Sequence, residues 1–461
     1  MKRTLSTVIL FIIPLTFFGQ VQKEKEEKTE VYEVFKIKSE YFKGEERTFK
    51  VALPHDYSAD KKYPVIYTLD GSSMFEMVAS YTKYLGNQTV VDGEDYATNV
   101  IPPSIVVGIF HNNRGIETEP NFTGLAMKEG PENLKSHIVN EIVPYINKNY
   151  AVSGYNSIIG HSNTAYFTTR LLFEPEIPFK GIIALSLVKG DETFNEKLVQ
   201  TLQTNFDKVF FVGAGDKDNE FNELAQRIKS DVSSSNVAVK NYISNHTDLP
   251  AAALSDGIQH LFYKYRNFGR FPELSLEKDF DVSNYIGIYK QTIKADYGIE
   301  TTMLPDDFGY FVVETVNSGN VTGFEKLLAY EKEVNNYEYP NIMKFHYRRD
   351  LKDLKEAKNL AYKILSNENG NDYRFLAGQI DVFTDFFIND LGSPNEAISF
   401  LEKAKKRFPD YTLNFNYFIA KTSIEEDVQK KKGKASLEYC RKNFKANRYF
   451  ELADLGRLEM K

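Results

Sequence analysis

The stretch Ile158-Ile159-Gly160-His161-Ser162-Asn163-Thr164-Ala165 constrains this chain more than any other. Two β-branched residues enter a Gly-x-Ser turn, and the apolar run from Tyr166 to Phe173 leaves it with helical character. That order predicts a strand, a sharp turn and a helix, the setting that lifts a nucleophilic serine above the end of a sheet. Such a turn is strained, so the residue two before the serine must be small, and Gly160 meets this. The residue two after the serine is usually glycine and here is Thr164, so the agreement with Gly-x-Ser-x-Gly is partial. A short Gly-x-Ser arises by chance in many chains, which makes the surrounding pattern decisive.

That pattern is an alternation. Residues 47–53, 63–69, 105–110, 181–186, 208–213 and 238–243 are short β-rich runs, and most read as buried strands. Helical stretches over 133–150, 164–173, 218–230 and 251–266 separate them, the first with Leu134, Ile138, Ile142 and Ile146 four apart. Strands alternating with helices predict an α/β fold with a doubly wound, mostly parallel sheet. Ligands collect at the carboxyl ends of strands in such sheets.

A serine nucleophile needs a base for its proton and a carboxylate to orient that base. After Ser162 the chain offers both in order, on loops that follow successive strands. The first loop is Ala214-Gly215-Asp216-Lys217-Asp218-Asn219-Glu220, and the second is Ser244-Asn245-His246-Thr247-Asp248. Gly215-x-x-Asp218 has the spacing common at such a strand end, but Gly213-x-x-Asp216 has it too. Asp218 is therefore preferred, Asp216 is a close second, and Glu220 stays open. Of the other histidines, His55, His260 and His346 lack motif context, His137 falls on a helix face, and His161 reads as a packing residue. An oxyanion needs two backbone N–H donors. Asn163 follows the nucleophile and supplies one; Gly71 or Ser72, after the 63–69 strand, supplies the other. Arg114 is a candidate for an anionic or phenolic substrate group, although a surface arginine is the commoner reading of such a residue.

The remaining features bound the rest. Residues 1–19 read as a signal peptide, with Lys2 and Arg3 ahead of a short apolar run. A charged leader follows over 20–30. The protein is expected to be periplasmic or secreted, with no membrane span once the signal is removed. The single cysteine, Cys440, excludes an intrachain disulfide and lies too far along the chain to be a lipid anchor at the signal peptide. A net charge of −7 leaves no electrostatic footprint for nucleic acid. Residues 28–270 form the catalytic-type domain and 271–319 a mixed linker. Residues 320–461 are helical and resemble tetratricopeptide repeats, with Ala397, Leu401, Ala404 and Pro409 as the best unit and Ala357, Ala361 and Ile364 a weaker one. An irregular helical bundle fits that stretch as well, and a protein partner for it is conceivable.

Residues 45–268 resemble the enterochelin-esterase-like group of α/β-hydrolases. The resemblance rests on Tyr67-Thr68-Leu69-Asp70-Gly71, on Val107-Gly108-Ile109 with Arg114, and on Glu141-Ile142-Val143-Pro144-Tyr145-Ile146 with Tyr150. It continues through Gly160-His161-Ser162 and ends at His246 ahead of Leu254, Gly257 and Leu261-Phe262. It implies Ser162 as nucleophile, His246 as base and Gly71 in the oxyanion region, with Thr164-Ala165 standing where the family has Gly-Gly. The expected activity is hydrolysis of a carboxylic ester, of siderophore or acyl-sugar type, without metal or organic cofactor. A degenerate binding module and an acyltransferase are the alternatives. N-terminal sequencing of protein from the native host is expected to begin near Gln20; intact Met1 in a soluble cytoplasmic fraction would refute export.

Overall fold

The computed structural model describes residues 22–24, 32–86, 89–91, 94–96, 100–174, 176–204, 207–265, 282–302, 305–334, 338–366 and 376–460. The expected signal peptide lies outside them. Two compact units share the chain: residues 1–267 with 286–307, and 268–285 with 308–461.

The first unit is built on a nine-stranded sheet. Its strands include β1 (Gln22–Glu24), β2 (Tyr32–Lys38), β3 (Glu46–Ala52) and β4 (Tyr63–Thr68). A separate ribbon of β5 (Thr89–Val91) and β6 (Glu94–Tyr96) intervenes. Then follow β7 (Ile105–Ile109), β8 (Val152–His161), β9 (Phe179–Leu185), β10 (Val209–Gly215) and β11 (Val237–Tyr242). The order is β1-β2-β3-β7-β4-β8-β9-β10-β11. β7, β4, β8, β9, β10 and β11 run parallel, and β1, β2 and β3 make an antiparallel margin. Part of the expected leader is thus an edge strand.

Sequence explains this arrangement. Every residue of β4, β7 and β10 is buried, the signature of strands covered on both faces. β3 alternates more openly, and the edge strand β11 has no buried residue. The covering helices include α1 (Gly71–Leu85), α2 (Arg114–Glu117), α3 (Glu129–His137) and α4 (Val143–Asn149). After them come α5 (Asn163–Arg170), α6 (Glu192–Gln203), α7 (Asn222–Asp231) and α8 (Leu249–Leu261). The expected helix over 133–150 is α3 and α4 joined through a π-turn at Ile138–Ile142, and Leu134, Ile138, Ile142 and Ile146 are all buried in the core. Each such side chain contributes about 1.5–3 kcal/mol by leaving water.

The stretch 271–319, expected to be a mixed linker, is mostly helical where it is described, over Val282–Tyr297 and Pro305–Asn317. Tyr289, Ile293 and Tyr297 stand four apart and are buried, with the Tyr297 ring 5.0 Å from Tyr155 in an edge contact. This face ties residues 286–307 to the first unit, so that unit extends past residue 270.

The second unit is helical. Antiparallel pairs such as Asn341–Asp350 with Leu354–Ser366, and Pro394–Arg407 with Thr412–Glu425, bury the small residues noted in the sequence. Ala357, Ala361, Ala397 and Ala404 have no exposed surface and sit in one core with Leu401, Phe383 and Phe400. Small side chains let paired helices approach closely. Among the described residues no helix is long and apolar enough to cross a membrane. A fragment spanning 308–461 is expected to give a strongly α-helical circular dichroism spectrum with a cooperative melt; a β-rich spectrum would overturn the division into units.

Candidate active site

All six parallel strands end on one edge, and each delivers a polar residue there: Asp70 after β4, His111 after β7, Ser162 after β8, Ser186 after β9, Asp218 after β10 and His246 after β11. Ser162 adopts φ 63° and ψ −124°, the strained turn expected of its motif. A Cβ on residue 160 would run into the Thr164 carbonyl, so only glycine fits there. The Ser162 N–H is held by the Leu185 carbonyl at 2.9 Å, and its own carbonyl accepts from Tyr166, the first bond of α5.

His246 sits on the loop after β11. Its Nδ1 donates to Asp218 Oδ2 at 2.9 Å, and the same oxygen accepts from Ser186 Oγ at 2.7 Å. Asp218 and Ser186 are buried. The imidazole lies between Phe221 and His161, with ring centroids 4.5 and 4.8 Å away. His161 also donates from Nε2 to the His246 carbonyl at 2.8 Å. Burial, and then the neighbouring His246, push the His161 pKa below its ordinary value, so this ring packs as a neutral group. No hydrogen bond joins Ser162 Oγ to His246 among the described residues; in unliganded sites such bonds often tighten only with substrate.

Asp216, the close second as orienting acid, does not meet His246. It is exposed, and its Oδ1 accepts the Ser244 N–H at 3.0 Å, fastening one loop to the next. One residue, Lys217, separates the two carboxylates, and the turn sends only Asp218 inward. The Glu220 side chain lies outside the described residues.

The oxyanion candidates also assemble. Gly71 and Ser72 open α1, and Asn163 opens α5; the first N–H groups of a helix have no partner within it. β4 and β8 are neighbours, with the Leu69 N–H on the Ile159 carbonyl at 3.0 Å, so the two helix starts lie side by side. Gly71 is pressed against the Phe110 ring and the Ile109 carbonyl, leaving no room for a Cβ. Arg114 is already engaged: Nε and Nη2 grip Asp70 at 2.5 and 3.1 Å, and Nη2 reaches the His161 carbonyl at 3.1 Å. It braces the site wall rather than presenting a free cation.

Behind this wall lies a charge network that the sequence did not disclose. His111 approaches Asp70 Oδ1 from Nε2 at 3.5 Å and bonds Glu117 from Nδ1 at 2.9 Å. Glu117 also holds Arg47 through both oxygens, at 2.8 and 2.6 Å, and accepts the N–H groups of Asn112 and Asn113. Arg47 is fully buried although it is 70 residues from its partner. Burial alone would raise the Glu117 pKa; bonds from His111, Arg47 and Asn113, with the Arg47 charge, reverse that and hold it at about 2.

Fold and site together define the class: an α/β-hydrolase of serine-hydrolase architecture. The family model described as Putative esterase matches residues 39–247. The α/β unit belongs to that family. Solved structures with similar folds include an uncharacterised protein from Capnocytophaga ochracea, 17% identical with a TM-score of 0.53, the match covering 76% of this chain and 94% of that one. An IroE-like serine hydrolase from Shewanella oneidensis is 19% identical with a TM-score of 0.48, covering 66% and 99%. Siderophore hydrolase EstA from Aspergillus nidulans is 14% identical with a TM-score of 0.41, covering 52% and 97%.

Because Glu117 has a folded-state pKa below its ordinary 4.5, its contribution to stability is fully present above that pH and is lost as pH falls through about 2. Glu117→Gln is expected to lower stability at pH 7 by about 3–5 kcal/mol, since it strands buried Arg47. Urea unfolding at pH 7 and pH 3 tests both: the variant should lose less on acidification than the native protein.

Proposed function

We propose that this protein is an exported serine esterase acting on a carboxylic ester, of siderophore or acyl-sugar type. Ser162 Oγ attacks the ester carbonyl while His246 Nε2 takes its proton. The tetrahedral oxyanion is held by the N–H of Asn163 and that of Gly71 or Ser72. Collapse expels the alcohol, which takes its proton from His246, and leaves Ser162 acylated. Water, activated by the same imidazole, then releases the acid. Asp218 orients His246 and stabilises the imidazolium in both halves.

The observation that carries this reading is the bond from half-buried His246 to buried Asp218, beside a serine in the strained φ 63° turn. A carboxylate can only accept, so the pair directs the imidazole proton to Nδ1 and leaves Nε2 free to act as base. Family membership of the unit supports ester hydrolysis as the reaction class. The open Ser162–His246 contact favours, as second reading, a degenerate hydrolase fold that binds without turnover. An acyltransferase would differ only in the acceptor that replaces water. The export part rests on residues 1–19, and the helical unit is proposed to engage a protein partner in the manner of tetratricopeptide-like repeats.

On an aryl acetate, Ser162→Ala, His246→Ala and the double variant are expected to fall by about 10²–10⁴-fold to a similar residual rate, because triad members act as a unit. Asp218→Asn should cost much of the rate and Asp216→Asn little. A fluorophosphonate probe should label Ser162; an unlabelled native protein would favour the binding module.

A further inference from the structure

Thr164 stands where the family elbow carries glycine, and its surroundings give it work to do. It has no exposed surface. Its Oγ1 accepts the His161 N–H at 2.7 Å and lies 2.8 Å from Asp70 Oδ2 and 2.8 Å from the His161 carbonyl. A hydroxyl has one hydrogen to give, and a carboxylate is the stronger acceptor. Arg114 Nη2 reaches both acceptors alike, at 3.1 Å, so the charge of the carboxylate decides between them. The Thr164 hydrogen therefore goes to Asp70.

This bond joins two segments after they have left the sheet. Asp70 and Ser162 both have left-handed φ, 55° and 63°, and each turns its strand sharply into a helix. The last ladder bond between their strands is Leu69 to Ile159. Beyond it the Gly71 and Ser72 N–H groups ride on one segment and the Asn163 N–H on the other. Their mutual spacing must suit a single oxygen atom.

We propose that the Thr164 hydroxyl is a positioning group that locks the two halves of the oxyanion site together, through His161 on one side and Asp70 on the other. This rests on the ester-hydrolase reading above. Glycine at this position has no hydroxyl with which to make the link, so Thr164 adds a side-chain tie to the elbow, with Arg114 bridging the same two residues from outside.

The test compares native protein with Thr164→Val, Thr164→Gly and Thr164→Ser on an aryl acetate, with kcat and KM resolved. Removing one oxyanion donor outright costs about 10²–10³-fold in kcat. Loosening the frame should cost roughly 10–100-fold in kcat for the Val and Gly variants, with KM little changed, because the bond acts on the charge that develops in the transition state. Serine restores the hydroxyl and should retain most of the rate. The Thr164→Val loss should shrink in an Asp70→Asn background, because that variant already weakens the acceptor of the same link, so the two losses should fail to add. Thermal melts confirm folding, and Thr164→Ala replaces the Val variant if that one does not fold. Unchanged kcat in a folded variant lacking the hydroxyl, failure of serine to rescue, or additive losses would overturn the proposal. A native protein that neither hydrolyses esters nor takes up a fluorophosphonate would instead overturn the esterase reading, and this proposal with it.

Discussion

The buried carboxylate of Asp70 is the point on which the site edge depends. Arg114, from the β7–α2 junction, and Thr164, from the β8–α5 junction, both donate to it, and His111, from the same junction as Arg114, meets Asp70 through Nε2. A carboxylate out of water is costly unless it is paired and hydrogen-bonded on both oxygens. Those partners keep Asp70 in its left-handed conformation, which starts α1 and presents the Gly71 and Ser72 N–H groups. The network continues through His111 to Glu117 and Arg47, so the antiparallel margin of the sheet is coupled to the parallel core by charge as well as by apolar packing.

The base side of the site is organised differently. There the charge is a single carboxylate, Asp218, whose Oδ2 is shared by His246 and Ser186. Ser186 itself has φ 49°, a third strained residue at the end of a strand. Backbone strain at Asp70, Ser162 and Ser186 thus lies along one sheet edge, where tertiary contacts over-determine each turn. The aromatic faces of Phe221 and His161 pack on the imidazole of His246.

Much of this was legible in residues close in sequence. Buried strands announce themselves as short apolar runs, and the elbow as glycine before serine, because both are local requirements of backbone geometry. α1 was not legible: Asp70-Gly71-Ser72-Ser73 has turn chemistry, and nothing local says that the turn opens a 15-residue helix. Helix 282–297 was equally hidden, since its buried Tyr289, Ile293 and Tyr297 face becomes informative only once Tyr155 is known to lie against it. Asp216 and Asp218 share the same spacing from a glycine, and only the path of the loop separates an exposed brace from a buried partner of His246.

The sequence by itself determined the class of fold, the candidate nucleophile and base, and the helical character of the last third, because periodicity and turn chemistry act over a few residues. The tertiary structure decided which carboxylate meets His246, that Arg114 braces Asp70, that Ser186 joins the pair, and that Arg47 and Glu117 are buried together. Those outcomes depend on strand order, which brings residues tens of positions apart to one edge. Hydrogen bonds discriminate at tenths of an ångström, a precision that spacing along a chain does not carry.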